Sequence, residues 1–134
     1  GKFQHCKMLF NITLSKLLNR KITMLHSYKK YVKYRIKTPL PSYRQFPCVT
    51  PNFDNASRRM HKGFTAFIGS TPQLYGKWLS SVFEKFKPYS QEENFIFINA
   101  WNEWAEGNHL EPDQKWGRKY LEETKKNIDQ YKKR

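Results

Sequence analysis

The stretch FIFINAWNEWAEG, residues 95–107, decides the fold, because a run typical of a strand leads directly into two carboxylates. Residues 95–100 form a short, continuous series of aromatic and branched side chains, which is typical of a strand buried on both faces. A similar but shorter run at residues 46–50 predicts a second strand. Strands of this kind belong to parallel sheets, so an α/β protein is expected.

Helical patterns accompany these strands. Residues 72–86 place apolar side chains at three- and four-residue steps, which predicts an amphipathic helix. Thr71 is placed to cap its first turn, and Pro72 suits the first helical position. A last helix is predicted over residues 117–131, and one side of it carries Leu121, Thr124, Ile128 and Tyr131. The order strand, loop, helix, strand, helix predicts a parallel sheet with right-handed crossovers.

The first 45 residues are mostly basic and carry weaker patterns. Residues 12–18 suggest a short helix, residues 22–26 a strand, and residues 28–36 a basic helix with Tyr28, Tyr31, Val32 and Arg35 on one side. Pro39 and Pro41 mark a loop.

The sequence predicts too few strands for a complete parallel sheet. Two or three parallel strands leave unpaired edges and half-covered faces, which parallel sheets rarely tolerate. We therefore interpret residues 1–134 as one domain that is the C-terminal portion of a larger α/β structure, such as the closing part of a barrel.

Positive charge is concentrated in the first half of the chain. Residues 1–62 hold 14 Lys and Arg against a single acid, Asp54, a net charge of +13, whereas residues 63–134 hold 11 against 10. A Lys-rich solvated face is the favoured interpretation. The alternatives are an anionic membrane surface or, because tyrosines are interleaved with the basic residues, a nucleic-acid-binding module. No specific nucleic-acid motif occurs, so specific nucleic-acid binding is not expected.

Other features of the sequence bear on the location of the protein and on whether it holds a metal or cofactor. No apolar run approaches a membrane-spanning length, and no secretory leader follows Gly1. Cys6 and Cys48 lie far apart, which favours reduced, buried thiols in a cytoplasmic protein, and a single disulfide is the alternative. Through its basic half the protein could also associate with membranes. The histidines lack zinc-ligand spacing and no phosphate-cradling glycine loop is present, so neither a metal nor a cofactor is expected.

Glu103 and Glu106 are the main candidates for chemistry. In a continuing strand, residues three apart would point to opposite faces, so only a turn after Glu103 brings the acids together, and Gly107 gives the backbone that freedom. Paired carboxylates are what glycoside chemistry requires, and Trp101 and Trp104 offer flat surfaces for sugar rings. The alternative is a surface turn with solvated acids and core tryptophans.

Further polar residues form a second group of candidates. Asp54 and Arg58 are spaced so that one turn could pair them, either to bind sugar hydroxyls or to brace the loop. His109 is either a packed residue or part of the site, and Glu111 either binds substrate or holds the loop in shape. The full set of predicted substrate-binding residues is Trp101, Asn102, Trp104, Asp54, Asn55, Arg58, His109 and Glu111.

Residues 97–107 followed by Leu110-Glu111-Pro112-Asp113 resemble the WbsX-type glycosyltransferase family of bacterial surface-polysaccharide gene clusters. The resemblance covers roughly residues 44–125. An upstream Pro-x-x-x-Pro-x-x-Asp-Asn-x-x-Arg pattern also looks like that family, and it consists of Pro47, Pro51, Asp54, Asn55 and Arg58. Phe53 departs from the Trp that is more usual there.

The resemblance implies both a fold and an activity. The family is related to glycoside hydrolase family 99-like endo-mannosidases and endo-mannanases, which implies the C-terminal part of a (β/α)8 TIM barrel. It implies Glu103 and Glu106 as the catalytic pair, with Glu106 as the acid and the sugar's own 2-hydroxyl as nucleophile. The implied function is to make or cleave glycosidic bonds of an oligosaccharide or polysaccharide in lipopolysaccharide O-antigen biosynthesis. The alternatives are a basic nucleic-acid- or anion-binding module and an inactive barrel fragment.

Overall fold

A computed structural model describes residues 23–59 and 63–133, in which three α-helices accompany six short strands. The strands are β1 (Met24–Ser27), β2 (Cys48–Val49), β3 (Thr65–Ile68), β4 (Phe97–Ile98), β5 (Asn102–Glu103) and β6 (Asn108–His109). The helices are α1 (Tyr28–Lys37), α2 (Pro72–Lys85) and α3 (Lys119–Lys132). Two 3-10 helices, Ala56–Arg58 and Trp104–Glu106, lie in loops. The short helix predicted at residues 12–18 lies outside the described residues.

The main strands pair in parallel, as the sequence predicts. β1 pairs with β3, and β2 pairs with β4, whereas β5 and β6 form an antiparallel hairpin. The described strands therefore pair two by two and do not form one continuous sheet. Strand β3 was not predicted, because its four residues, between Gly63 and Gly69, show no clear alternation. β3 also contacts the segment after β2, where the Phe67 N–H donates to the Phe53 carbonyl at 2.7 Å.

Helices α1 and α2 follow the predicted patterns. The Thr71 side chain accepts a hydrogen bond from the Leu74 N–H at 3.2 Å, and Pro72 occupies the first turn of α2. Ser27 caps α1 in the same way. The two helices are joined where the Lys85 ammonium donates to carbonyls at the end of α1, including that of Thr38 at 3.0 Å. The buried stripe on α2 that the sequence predicts is present, and it includes Tyr75, Trp78, Leu79 and Val82.

Helix α3 packs on α2 with most of the predicted face, since Leu121 contacts the core and the ring of Tyr131 lies 4.9 Å from that of Phe83, but the face is rotated toward Tyr120. Tyr120 and Asn127 are its buried residues, whereas Ile128 is exposed. The contact with α2 decides this rotation, because the ring of Tyr120 lies 5.6 Å from that of Tyr75. The Tyr75 hydroxyl also lies 2.9 Å from Thr124 Oγ1. Burial is the main reason that the pKa of Tyr75 rises to about 12.

Strand β4 is buried on one face only, so the prediction of a strand buried on both faces is wrong. Phe97 is 55% exposed and Phe95 is 51% exposed, while Ile96 and Ile98 pack against the core. The alternation arises because helices cover one side of the strand pairs. Leu25 and Ile68 on the other pair are also exposed. The expectation of buried thiols is likewise wrong for Cys48, whose thiol is free and whose residue is exposed.

The core lies between the strands and the three helices. Its residues are mainly aromatic and branched, namely Tyr28, Val32, Val49, Tyr75, Trp78, Leu79, Val82, Leu110 and Tyr120. Among residues 23–59 and 63–133, no helix has both the length and the apolar character needed to cross a membrane.

Candidate active site

A tight hairpin follows β4 and carries the two predicted carboxylates. Strands β5 and β6 pair Asn102 with His109 and Glu103 with Asn108, and the 3-10 helix Trp104–Glu106 closes the end. Gly107 ends that helix with φ of 56°, in the left-handed region that favours glycine. A Cβ at Gly107 would lie 3.1 Å from the Cβ of Asp54, so the close approach of that segment also requires glycine. The turn expected after Glu103 is therefore present.

Arg58 joins the two carboxylates. Its Nη2 lies 2.8 Å from Glu103 Oε1, and its Nη1 lies 3.0 Å from Glu106 Oε1. Side chains three residues apart share one side of a 3-10 helix, which explains why one guanidinium can reach both. The side chains of Arg58, Glu103 and Glu106 are 50%, 40% and 29% exposed, so a substrate can reach this cluster from solvent.

The segment that carries Arg58 is fastened to the carboxylate hairpin. The Asp54 N–H donates to the Glu106 carbonyl at 2.6 Å, and the Ser57 hydroxyl donates to the Ala105 carbonyl at 2.7 Å. The Asp54 carboxylate accepts from the Ala56 N–H at 2.9 Å. Asp54 thus braces its own loop, and Arg58 pairs with the glutamates rather than with Asp54.

Asn55 and Asn102 occupy different positions around this cluster. Asn55 Oδ1 accepts a hydrogen bond from the Thr65 N–H at 2.9 Å, which connects the loop to β3. Asn102 lies on β5 with its side chain exposed. Asn55 is therefore engaged within the protein, whereas Asn102 is accessible to a ligand.

The indoles of the hairpin lie on the surface. Trp101 is 52% exposed and Trp104 is 47% exposed, so neither is a core residue. The ring of Trp104 stacks on His109 with centroids 3.9 Å apart, and its Nε1–H donates to Glu111 Oε2 at 2.7 Å. Glu111 and His109 therefore hold one exposed ring in a defined orientation.

Asp113 fixes His109 in turn, a contact that the sequence did not predict, although the two residues are four apart along the chain. His109 Nε2 lies 2.9 Å from Asp113 Oδ2. Burial alone would raise the pKa of Asp113, but hydrogen bonds from the Trp116 N–H and the His109 ring outweigh it, and the pKa is lowered. Asp113 is thus ionised, and it holds the His109 ring that stacks on Trp104.

Two cavities lie near these elements. One of about 550 Å³ is lined by Trp104, His109, Asp113 and Trp116, together with Asn52. Another of about 620 Å³ lies between α1, α2 and the segment 38–50, and it touches neither carboxylate. In the part of the chain that the structure describes, no group of three or more His, Cys, Asp or Glu side chains is arranged to hold a metal ion.

Comparison with known proteins identifies the family. The chain is 40% identical over 88 residues to an uncharacterized protein, WxcX, of Xanthomonas campestris pv. campestris in each of two strains. That match covers 65% of this chain but 12% of each relative, so the chain spans a small part of their length. No solved structure matches the chain. The family Glycosyltransferase WbsX matches residues 2–124, which confirms the resemblance seen in the sequence. The chain therefore belongs to the WbsX glycosyltransferase family.

Proposed function

We propose that this chain contributes the catalytic carboxylates of an enzyme that makes or cleaves glycosidic bonds. The observation that carries the proposal is the bridging of Glu103 and Glu106 by Arg58 at 2.8 and 3.0 Å. Membership of a glycosyltransferase family supports carbohydrate as the substrate class.

The chemistry needs two carboxylates within reach of one sugar. One gives or takes the proton on the glycosidic oxygen, and the other acts on the opposite side of the sugar, directly or through the sugar's own hydroxyl. The planar fork of an arginine holds two carboxylates in a defined geometry, which a flexible ammonium does not. In our proposal Glu106 is the acid and Glu103 is its partner. A barrel fold hosts both transfer and hydrolysis, so both belong to the proposal.

The surrounding residues divide into two groups by accessibility. Trp101, Trp104 and Asn102 are exposed, which suits direct contact with a sugar chain. The remaining predicted site residues have contacts within the protein that hold this surface in place, and they are Asp54, Asn55, Arg58, His109 and Glu111. We propose that the substrate is an oligosaccharide or polysaccharide lying across the exposed indoles.

We further propose that residues 1–134 form the C-terminal portion of a (β/α)8 barrel. Parallel strand pairs covered by helices on one side, with apolar residues exposed on the strands, support this proposal. Glu103 follows β4 closely, and active sites of such barrels lie beyond the carboxyl ends of the strands. Sedimentation of the isolated chain tests the barrel, because open strand faces should make it self-associate. A monomer that melts cooperatively would contradict it.

The cellular setting that we propose is the cytoplasmic side of bacterial surface-polysaccharide assembly, including that of lipopolysaccharide O-antigen. Four lysines of α1 are exposed and offer a basic surface to anionic lipids, namely Lys29, Lys30, Lys33 and Lys37. No specific nucleic-acid partner is part of the proposal.

Replacement of the carboxylates tests the activity. Glu103→Gln and Glu106→Gln, introduced into the full-length polypeptide that carries this chain, keep size and hydrogen bonding but remove proton transfer. Each is expected to lower turnover of a hexose-containing oligosaccharide by ~10²–10⁴-fold. Melting temperatures should fall by only a few degrees at most, because each exposed ion pair contributes about 0.2–1 kcal/mol to stability. Near-normal turnover in both variants would refute the assignment, and lost turnover with unfolding would favour a structural role instead.

A further inference from the structure

The cavity of about 550 Å³ adjoins the hairpin that carries the two carboxylates. Trp104, which lies between Glu103 and Glu106 in the sequence, forms part of its wall, whereas neither glutamate does. Its other walls come from residues 112–116, from Tyr120 of α3, and from Asn52 and Ser70. Its volume falls within the range of about 300–1,000 Å³ that is typical of small-ligand sites.

The aromatic walls of this cavity are held in place before any ligand enters. Trp104 is fixed by the stack on His109 and by the hydrogen bond to Glu111. The Trp116 ring has the ammonium groups of Lys115 and Lys119 at 5.2 and 5.8 Å from its centroid. Two ordered indoles beside polar side chains offer the flat apolar surface that one face of a sugar ring needs, at little cost in side-chain entropy.

Two lining residues also carry unpaired hydrogen-bond acceptors. His109 Nε2 faces the Asp113 carboxylate at 2.9 Å and therefore donates, which leaves Nδ1 as an acceptor in the neutral ring. Both His109 Nδ1 and Asn52 Oδ1 are buried and have no hydrogen-bond partner. An unpaired buried acceptor costs free energy, so these groups favour a ligand that brings donors. Hydroxyl groups bring donors, whereas a sulfate ion or an ionised carboxylate group brings only acceptors.

We propose that this cavity is a saccharide subsite for a neutral, hydroxyl-bearing hexose unit, adjacent to the unit that reacts at Glu103 and Glu106. Its place in the reaction rests on the proposed function, but sugar binding in the cavity does not. Asn52 Oδ1 is buried in the unliganded protein, so the Asn52 amide rotates toward the ligand on binding, whereas His109 keeps its contacts with Trp104 and Asp113.

Binding measurements on the full-length polypeptide that carries this chain test the subsite. Ligand-observed NMR and titration calorimetry with methyl α-D-mannopyranoside and methyl β-D-glucopyranoside should give Kd values of ~1–10 mM, as expected for a weakly held single sugar. Sodium acetate and sodium sulfate should bind at least about tenfold more weakly, because their anions carry acceptors and no hydrogen-bond donors.

Variants then locate the binding. Trp116→Ala and Asn52→Ala should weaken sugar binding at least about fivefold, and Gln114→Ala, at an exposed rim position, about twofold or more. Tyr43→Ala, which removes a 68% exposed ring outside this cavity, is the matched control and should leave the Kd unchanged. Gln114→Ala keeps the test decisive if the other variants fail to melt like the wild-type chain.

Three results would overturn the subsite. They are no binding of either glycoside at 50 mM, binding that Trp116→Ala and Gln114→Ala leave unaltered, and tighter binding of acetate or sulfate than of the glycosides. Failure of the two proposals can be told apart. If turnover depends on the two glutamates but no sugar binds in the cavity, only the subsite is refuted. If sugar binds in the cavity but turnover is unchanged in both glutamate variants, the subsite stands and the catalytic pair is refuted.

Discussion

Replacement of Arg58 tests whether the two carboxylates form one site. Arg58→Ala removes both contacts, at 2.8 and 3.0 Å, and leaves the two carboxyl groups without their shared partner. Pairs as exposed as these each contribute about 0.2–1 kcal/mol to the free energy of unfolding. The expected loss of stability is therefore about 0.4–2 kcal/mol, or a fall in Tm of roughly 2–8 °C. Arg58→Lys should recover about half of this, since one ammonium reaches one carboxylate at a time.

The effect on activity should exceed the effect on stability. A displaced carboxylate loses its alignment with the reacting bond, and misplacement by ~1 Å lowers turnover by about 10²-fold. We expect a loss of ~10–10²-fold in Arg58→Ala, with only partial recovery in Arg58→Lys. Arg44→Ala is the matched control, because Arg44 is an exposed arginine that pairs with Glu93 away from the hairpin.

The assay combines turnover of the full-length polypeptide with a double-mutant cycle on the melting of the same polypeptide. Arg58→Ala is combined in turn with Glu103→Gln and with Glu106→Gln, and each coupling energy should be about 0.2–1 kcal/mol. Salt should weaken the coupling, because the screening length falls to ~3 Å at 1 M. The reasoning is wrong if either coupling is zero at low salt, or if Arg58→Ala turns over within twofold of the wild-type protein, as the control Arg44→Ala should.

Three further outcomes are expected. Gly107→Ala should destabilise the fold by about 1–3 kcal/mol, because the φ of Gly107 is 56° and the new Cβ would contact Asp54. Gly117→Ala is the control, because Gly117 has a similar φ but open space around it, and this variant should lose less stability. Equal falls in melting temperature would contradict the argument from close contact. Because the pKa of Asp113 is lowered in the folded state, its stabilisation is present above the ordinary Asp value of ~3.9 and is lost as pH falls through the lower folded value. Urea unfolding of Asp113→Asn should therefore show less acid sensitivity than the wild-type chain, and an unchanged pH dependence would remove this role. Liposomes with acidic lipids should co-sediment with the chain at low salt and release it at high salt, whereas binding that persists at high salt would contradict a purely electrostatic contact.

The sequence by itself determined the helices that depend on local signals. The apolar stripe and the Thr71–Pro72 start predicted α2, and the pattern from Tyr28 onward predicted α1. Periodicity and capping act within a few residues, so they can be read without knowing what packs against them. The Asn-Glu-Trp-Ala-Glu-Gly segment also identified the family and the turn that carries both glutamates.

Only the tertiary structure decided which partners these elements meet. Arg58 contacts Glu103 and Glu106, which are 45 and 48 residues away along the chain, and local spacing instead suggested Asp54 as its partner. Strand β4 has one exposed face, and α3 turns Tyr120 rather than Ile128 inward, because the neighbours that cover each surface come from distant segments. Hydrophobic periodicity predicts that one face of an element is buried. Which distant segment covers that face, and which charged side chains come into contact, depends on how the whole chain folds.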